Sequence, residues 1–256
     1  VVDEYLARIS DLDRSETAPA VNSVIEVNPE ARSLAAAATS ALRDGNPTGL
    51  LHGVPVLIKD NIDTADQMKT TAGSLALVDQ PTPADAFLVQ RLRQEGAIIL
   101  GKTNLSEWAN FRSTRSNSGW SSRGGQTRNP YALNRTPCGS SSGSGAAIAA
   151  NFAVVAVGTE TDGSVTCPSA HNSLVGLKPT VGTVSRTGII PISASQDTAG
   201  PMARTVQDAA LLLQAMAGRD PDDGATFDVP DYLSELAPDA LRGKRIGIIR
   251  DYANHP

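Results

Sequence analysis

The sequence is poor in the residue types that several classes of protein need. Aromatic residues make up 4% of its 256 residues and the net charge is −5, so the chain offers neither stacking platforms for bases nor a basic surface for phosphates. No apolar run approaches the roughly 18 residues of a membrane span. We therefore expect a soluble protein that binds neither nucleic acid nor a membrane.

Cysteine and histidine are scarce as well. The two cysteines, Cys138 and Cys167, form no zinc-ligand or CxxC pattern, so we expect buried free thiols, with a disulfide between them as the alternative. The three histidines, His52, His171 and His255, share no metal-ligand spacing and are expected to be structural or exposed. We predict no metal site and no cofactor.

Short apolar segments alternate with helical patterns, and 40% of the residues are hydrophobic. Strands are predicted at 21–27, 54–58, 98–100, 153–158 and 244–250. Helices are predicted at 28–43, 84–95, 144–151 and 204–218, with a short one from Asn104 and a long ordered loop over 112–137. This alternation favours an α/β fold with a largely parallel sheet. Because the sequence stops directly after its last predicted strand, we expect residues 1–256 to be the N-terminal part of one longer domain.

The segment CGSSSGSGAAIAANFAVVAVGTETDGS, from Cys138 to Ser164, is the most informative stretch. It combines a Gly/Ser loop, a small-residue helix, an apolar strand and a glycine turn that ends in Ser164. A strand followed by such a turn can expose a serine hydroxyl among free backbone N–H groups, which suit a developing oxyanion. The alternative for Ser164 is an ordinary turn serine after Gly163.

The serine cluster at 140–144 has two competing interpretations. In isolation it is typical of a flexible linker, but a helix and a strand of core composition follow it directly. Residues Gly139–Gly143 also match the G-x-S-x-G nucleophile elbow around Ser141. That elbow needs a preceding strand, and the residues NRTPC at 134–138 do not form one.

Lys59 is the candidate base, because it follows the apolar run GVPVLI. Burial lowers the pKa of a lysine and favours its neutral amine, which can accept a proton near neutral pH. An ion pair with Asp60 is the alternative and would keep Lys59 charged. These residues favour a Ser–Ser–Lys hydrolase over a Ser–His–Asp one.

Taken together, these segments resemble the amidase signature family. The resemblance runs through five blocks in the family's order: LHGVPVLIKDNID (51–63), GKTNLSEWANFR (101–112), the segment 138–164, VGLKPTVG (175–182) and SQDTAGPMARTVQDAA (195–210). It implies an α/β/α sandwich around a twisted, mixed, largely parallel sheet. It also implies hydrolysis of an amide bond through an acyl-enzyme.

The resemblance also assigns roles to individual residues. It implies that Ser164 is the nucleophile, that Ser140 is a bridging serine in a cis peptide, and that Lys59 is the base. It further implies an oxyanion hole formed by the backbone of Thr161, Asp162, Gly163 and Ser164. Two supporting residues complete the assignment: Gly139 precedes the cis bond, and the hydroxyl of Ser141 orients the bridging serine.

Two departures from the commonest family pattern bear on the substrate. Glu160 and the pair Asp162-Gly163 stand where many members have Asp and Gly-Gly. Thr166 and Cys167 stand where members acting on acidic or glutamine-like substrates often carry an Arg that clamps a carboxylate. The motifs look closest to peptide amidases, so we expect a peptide amide or similar neutral amide as substrate. The alternatives are a component of a glutamine-dependent tRNA amidotransferase and a catalytically incompetent fragment or pseudoenzyme.

Overall fold

The structure is a computed structural model that describes residues 1–14 and 19–247. Its eight strands are β1 (Val24–Val27), β2 (Pro55–Lys59), β3 (Ile98–Thr103), β4 (Trp120–Ser121), β5 (Gly125–Gln126), β6 (Val155–Glu160), β7 (Val175–Gly176) and β8 (Thr198–Ala203). Six of them form one sheet in the order β1-β3-β2-β6-β8-β7, and β4 and β5 form a separate ribbon.

The sheet is parallel in its centre and antiparallel at both edges. Strand β2 pairs in parallel with β3 and with β6, whereas β1, β7 and β8 pair antiparallel to their neighbours. Because β2 and β6 run in the same direction with Ile58 opposite Val157, their carboxyl ends meet at one edge of the sheet. Lys59 and Glu160 are the last residues of these two strands.

Six helices cover the sheet: α1 (Val2–Arg8), α2 (Ala31–Arg43), α3 (Phe87–Gln94), α4 (Ser142–Ala149), α5 (Thr166–His171) and α6 (Val206–Met216). Residues alternate between the two faces of a strand, so Val56 and Ile58 join one hydrophobic cluster with α3 and α6. Leu57 joins the other, with α1, α2 and α4. This arrangement confirms the predicted α/β/α sandwich. In the part of the chain that the structure describes, no helix is long and apolar enough to cross a membrane.

Most predicted elements are found with shifted ends. The helix expected from Asn104 is a 3₁₀ turn at Glu107–Asn110, and the loop over 112–137 contains the β4–β5 ribbon. Sequence patterns missed α1, α5, β7 and β8. Strand β8 reads TAGPMA, whose Gly and Pro are typical of a turn, yet it pairs with β6 over five residue pairs. Of the strand predicted at 244–250, residues 244–247 are not extended in a sheet and the rest lie outside the described residues.

Candidate active site

Lys59 ends strand β2 and is fully buried. Its Nζ lies 2.7 Å from Ser140 Oγ, 2.9 Å from Thr159 Oγ1 and 3.2 Å from the Thr159 carbonyl oxygen. Burial lowers the pKa of Lys59 to about 7, although attraction to Glu160 and Asp197 opposes the change. The neutral amine is therefore well populated near pH 7, and its lone pair can accept a proton from Ser140 at this distance.

Asp60 does not form the alternative ion pair with Lys59. Its carboxylate pairs with Arg123, with Oδ1 3.0 Å from Nη1, and accepts a hydrogen bond from the Thr71 hydroxyl. Lys59 is the last residue of β2 and Asp60 is the first residue of the turn that follows, and their side chains have separate partners.

A second buried lysine, Lys102, was not anticipated from the sequence. Its Nζ donates to the Ile62 carbonyl and to Thr70 Oγ1, and burial lowers its pKa to about 8. Among the described residues its hydrogen bonds include none to a serine, so the two buried lysines differ in the groups that they contact.

Ser140 begins the loop that leads into α4, and the Gly139–Ser140 peptide bond is cis. Its side chain is 1% exposed and its carbonyl accepts the Ser106 N–H at 3.0 Å. A Cβ on Gly139 would collide with Ser106 Oγ and Ser142 Oγ, so a larger residue there would displace these hydroxyls. The loop is thus packed against the chain on both sides of Ser140.

Ser141 connects the loop to the two segments that carry the other candidate residues. Its N–H donates to the Ser164 carbonyl at 3.1 Å. Its hydroxyl donates to the Thr159 carbonyl at 3.1 Å and accepts the Thr159 N–H at 3.2 Å. Since Thr159 also binds Lys59, Ser141 ties the loop to the same point of β6 that holds the lysine.

Ser164 lies in the turn between β6 and α5 and is 9% exposed. The carboxylate of Glu160 organises this turn by accepting three backbone N–H bonds, from Gly163 at 2.9 Å, Val165 at 2.6 Å and Thr166 at 2.8 Å. Burial raises the pKa of Glu160, but these N–H donors outweigh it and the net pKa lies below the ordinary value. Sequence reasoning noted Glu160 only as a departure from the family pattern and missed this role.

The backbone N–H groups expected to form the oxyanion hole differ in their partners. Gly163 donates to Glu160. The N–H groups of Thr161, Asp162 and Ser164 make no hydrogen bond within the described ranges. Thr161 is fixed on its other side, because its hydroxyl donates to Asp197 at 2.6 Å and its carbonyl accepts from Lys178 at 2.6 Å.

The structure therefore brings together Lys59, Ser140 and Ser141 by side-chain and backbone contacts, and it brings Ser164 beside them through the backbone. Between residues 19 and 247 the hydrogen bonds include none from the Ser164 hydroxyl to the Ser140 hydroxyl.

A cavity of about 290 Å³ opens at the end of β6, beside Thr159, Glu160 and Thr161. It is lined by Asn61, Thr159, Glu160, Thr161, Arg186, Thr187, Ile189, Ile190, Pro191, Ile192, Ala194, Asp197, Thr198, Asp222 and Asp223. Its polar lining includes the end of β6, one arginine and three aspartates, and its apolar lining includes the segment Ile189–Ile192. The cavity is therefore suited to a molecule with an apolar body and a polar reacting group.

The prediction of free thiols is wrong, because Cys138 and Cys167 form a disulfide with their Cα atoms 5.9 Å apart. Their separation of 29 residues carried no signal of contact. The contact arises because the loop before Ser140 packs against the helix after Ser164. The Cys138, Cys167 and His171 ligand atoms lie within 4.8 Å of one another, but the sulfurs are bonded to each other.

The two described histidines have structural contacts. His52 Nδ1 accepts the Thr48 N–H at 2.9 Å, and its Nε2 lies 2.8 Å from the Ala38 carbonyl. His171 Nδ1 lies 3.0 Å from the Cys167 carbonyl. His255 lies outside the described residues.

Comparisons with known proteins place the chain in a family. The family model described as Amidase matches residues 1–256. The solved structure of the native peptide amidase from Stenotrophomonas maltophilia is 60% identical, with a TM-score of 0.91 over 95% of this chain and 50% of that chain.

Curated proteins give a similar result. A probable amidase of Arabidopsis thaliana is 47% identical over 262 residues, which cover 99% of this chain and 50% of the plant protein. A glutamyl-tRNA(Gln) amidotransferase component from Carboxydothermus hydrogenoformans is 49% identical over 210 residues, covering 81% of this chain and 42% of that protein. The chain spans about half the length of the relatives that it matches.

Proposed function

This chain belongs to the amidase family, and on that basis we propose that the protein hydrolyses amide bonds with Ser164 as nucleophile, Ser140 as bridging proton carrier and Lys59 as base. The observation that carries the proposal is the buried contact of 2.7 Å between Lys59 Nζ and Ser140 Oγ. A lysine whose pKa lies near 7 can both accept and return a proton at neutral pH, as a general base and then a general acid must.

In the first half of the reaction, neutral Lys59 accepts the proton of Ser140, and Ser140 accepts the proton of Ser164. The Ser164 oxygen bonds to the carbonyl carbon, and the electron pair of the C=O bond moves onto oxygen. The turn before Ser164 holds that oxyanion with backbone N–H groups. Those of Thr161, Asp162 and Ser164 are the ones without another partner in the described structure, and the loss of one such donor typically costs about 10²–10³ in rate.

In the second half, the proton returns from Lys59 through Ser140 to the leaving nitrogen. The C–N bond breaks and ammonia or an amine departs, which leaves an ester on Ser164. Water then attacks that ester while the same relay accepts its proton. The bond between Ser164 and the acyl carbon breaks, the relay returns the proton to Ser164, and the carboxylic acid is released. The products balance as acid plus amine, and no cofactor takes part in the scheme.

Labelling and kinetics together test this assignment. A fluorophosphonate should label the full-length protein at Ser164, and Ser164→Ala should abolish both labelling and turnover. Lys59→Ala should abolish turnover, while Ser140→Ala should leave at most slow activity. Ser142→Ala is a matched control, because its hydroxyl donates to the Cys138 carbonyl at 2.6 Å and takes no part in the relay. Near-normal turnover by Ser164→Ala would refute the proposal, and absence of any labelling would favour a catalytically incompetent protein.

We infer that the substrate is neutral at the acyl group, as in a C-terminal peptide amide. Positions 166 and 167, where an Arg could bind a substrate carboxylate, carry Thr and Cys instead. Thr166 Oγ1 lies 3.2 Å from the Glu160 carboxylate, and Cys167 forms the disulfide. In the cavity, the guanidinium of Arg186 is paired with Asp223. The similarity to a peptide amidase supports this substrate class.

The similarity to a glutamyl-tRNA(Gln) amidotransferase component supports a second candidate, glutamine hydrolysis within an enzyme of several chains. Ammonia release from a dipeptide amide and from free glutamine separates the two candidates. A higher kcat/KM for the peptide amide supports the first, and a preference for glutamine that appears only with partner proteins supports the second.

A further inference from the structure

Asn61 is a buried polar residue to which the proposed relay gives no role. It follows Lys59 by two positions and is 6% exposed. Its Nδ2 donates to Thr159 Oγ1 at 3.0 Å, while its Oδ1 has no hydrogen-bond partner among the described residues. A buried acceptor without a partner costs about 1–3 kcal/mol, so an unpaired oxygen of this kind suggests a partner that arrives from outside.

The surroundings of Asn61 are open to a ligand. The residue lines the cavity of about 290 Å³ and also a smaller cavity lined by Ala72, Leu105 and Trp108. The segment Ile190–Ile192 borders both cavities. Asn61 therefore lines both cavities, and its unpaired Oδ1 is itself buried beside them.

Thr159 connects Asn61 to the proton relay. Its Oγ1 accepts hydrogen bonds from both Lys59 Nζ and Asn61 Nδ2, at 2.9 and 3.0 Å. The bond to Nδ2 holds the amide plane of Asn61, so that Oδ1 is the atom left for another donor. Asn61 is thus two hydrogen bonds away from the lysine that contacts Ser140.

The leaving nitrogen of the substrate approaches the relay during the proposed reaction. In the proposed reaction Ser140 returns the proton to that nitrogen, so the nitrogen approaches Ser140 when the C–N bond breaks. A primary amide has two N–H bonds on this nitrogen, and each needs an acceptor once the group leaves water.

We propose that Asn61 Oδ1 accepts a hydrogen bond from the N–H of the substrate's carboxamide, and that Asn61 thereby determines the preference for unsubstituted amides over esters. This inference rests on the proposed function and specifies the leaving-group side of the same site. An ester of the same acyl group has no N–H and leaves Oδ1 unpaired.

The test compares two substrates that differ only at the leaving group, a dipeptide amide and the methyl ester of the same dipeptide. In Asn61→Leu, which keeps the branched outline of the side chain but removes its polar atoms, kcat/KM should fall about 10–100-fold for the amide and by about threefold or less for the ester. Asn61→Ala should give the same selectivity change if it folds, as judged by circular dichroism. The expected signature is a lower ratio of amide to ester kcat/KM.

Asn172 provides a matched control. It is also a buried asparagine with an unpartnered Oδ1 in the described structure, but its Nδ2 donates to the Pro137 and Pro168 carbonyls and it lines neither cavity. Asn172→Leu should keep the wild-type amide-to-ester ratio, whatever its effect on stability.

The outcomes are distinguishable. Equal losses on both substrates in the Asn61 variants, or the same ratio change in Asn172→Leu, would overturn the inference while leaving the proposed function intact. Failure of the wild-type protein to hydrolyse either substrate would refute the proposed function and the inference with it.

Discussion

Lys59 Nζ and Ser140 Oγ lie 2.7 Å apart, and their residues are 0% and 1% exposed. The two residues are separated by 81 positions in the sequence and come from different elements, the end of β2 and the loop before α4. Because both residues are buried, water does not compete for this contact. The protonation state of Lys59 therefore determines whether it can accept the Ser140 proton.

The pH dependence of catalysis follows from that protonation state. Only neutral Lys59 can accept the Ser140 proton, and its pKa is lowered to about 7 by burial. We expect kcat/KM to rise about tenfold per pH unit below pH 7 and to level off above it. Initial rates on a peptide amide between pH 5 and pH 9 measure this profile. A rate that is independent of pH across that interval would contradict Lys59 as the base.

The lowered pKa of Lys59 also makes the free energy of unfolding depend on pH. Lysine has an unfolded-state pKa near 10.4, so between about pH 7 and pH 10.4 the unfolded state binds one more proton than the folded state. Stability contributed by this group therefore falls as the pH falls through that interval and is constant below it.

Lys59→Met isolates this contribution. The free energy of unfolding of the wild type relative to Lys59→Met should increase by up to about 1.4 kcal/mol per pH unit between pH 7 and pH 10. Urea unfolding at several pH values measures the difference, and Lys59→Met should be inactive at all of them. Parallel stability curves for the two proteins would show that Lys59 is charged in the folded state.

Glu160→Gln tests the carboxylate that organises the nucleophile turn. The amide offers one acceptor oxygen in place of two and turns an NH₂ group toward backbone N–H donors, so the turn loses up to three charge-assisted hydrogen bonds. We expect a loss of about 1–3 kcal/mol of stability and at least a tenfold drop in kcat, because Ser164 follows this turn.

Thr166→Val is the matched control for that change. It removes only the hydroxyl contact to Glu160, at 3.2 Å, and leaves the three N–H bonds in place. Activity should stay within a few-fold of the wild type. A Glu160→Gln protein with wild-type kcat would show that the carboxylate has no influence on the nucleophile.

The disulfide between Cys138 and Cys167 should stabilise the fold around the candidate site. Closing a loop of 29 residues is worth about 3–4 kcal/mol through the entropy of the unfolded chain. Replacing both cysteines by serine should lower Tm by several degrees, as measured by calorimetry. A reducing agent should produce a similar loss in the wild type and none in the double variant. Rapid alkylation of both thiols without a reducing agent would contradict the disulfide.

Sequence patterns identified only part of the candidate site. Lys59 could be recognised because an apolar run precedes it, and Ser164 because a glycine turn follows an apolar strand. The contacts of Glu160 and Asn61 could not be recognised, because a carboxylate that accepts N–H bonds and an amide with an unpaired oxygen look like any other polar residue in a sequence. The assignment of catalytic roles, and of residues 1–256 to one longer domain, stays a prediction.

Local patterns in the chain were sufficient for strands β1, β2, β3 and β6, for helices α2, α3, α4 and α6, and for the parallel centre of the sheet, because hydrophobic periodicity and glycine turns act over a few residues. Packing in three dimensions made TAGPMA a strand, since its pairing with β6 outweighs the turn preference of its Gly and Pro. The same packing brings Cys138 and Cys167 together in a disulfide and places Lys59 Nζ beside the Ser140 hydroxyl rather than beside the Asp60 carboxylate. Those outcomes depend on which segments lie side by side in space, and only the packing of the whole sheet and its two helical layers sets that.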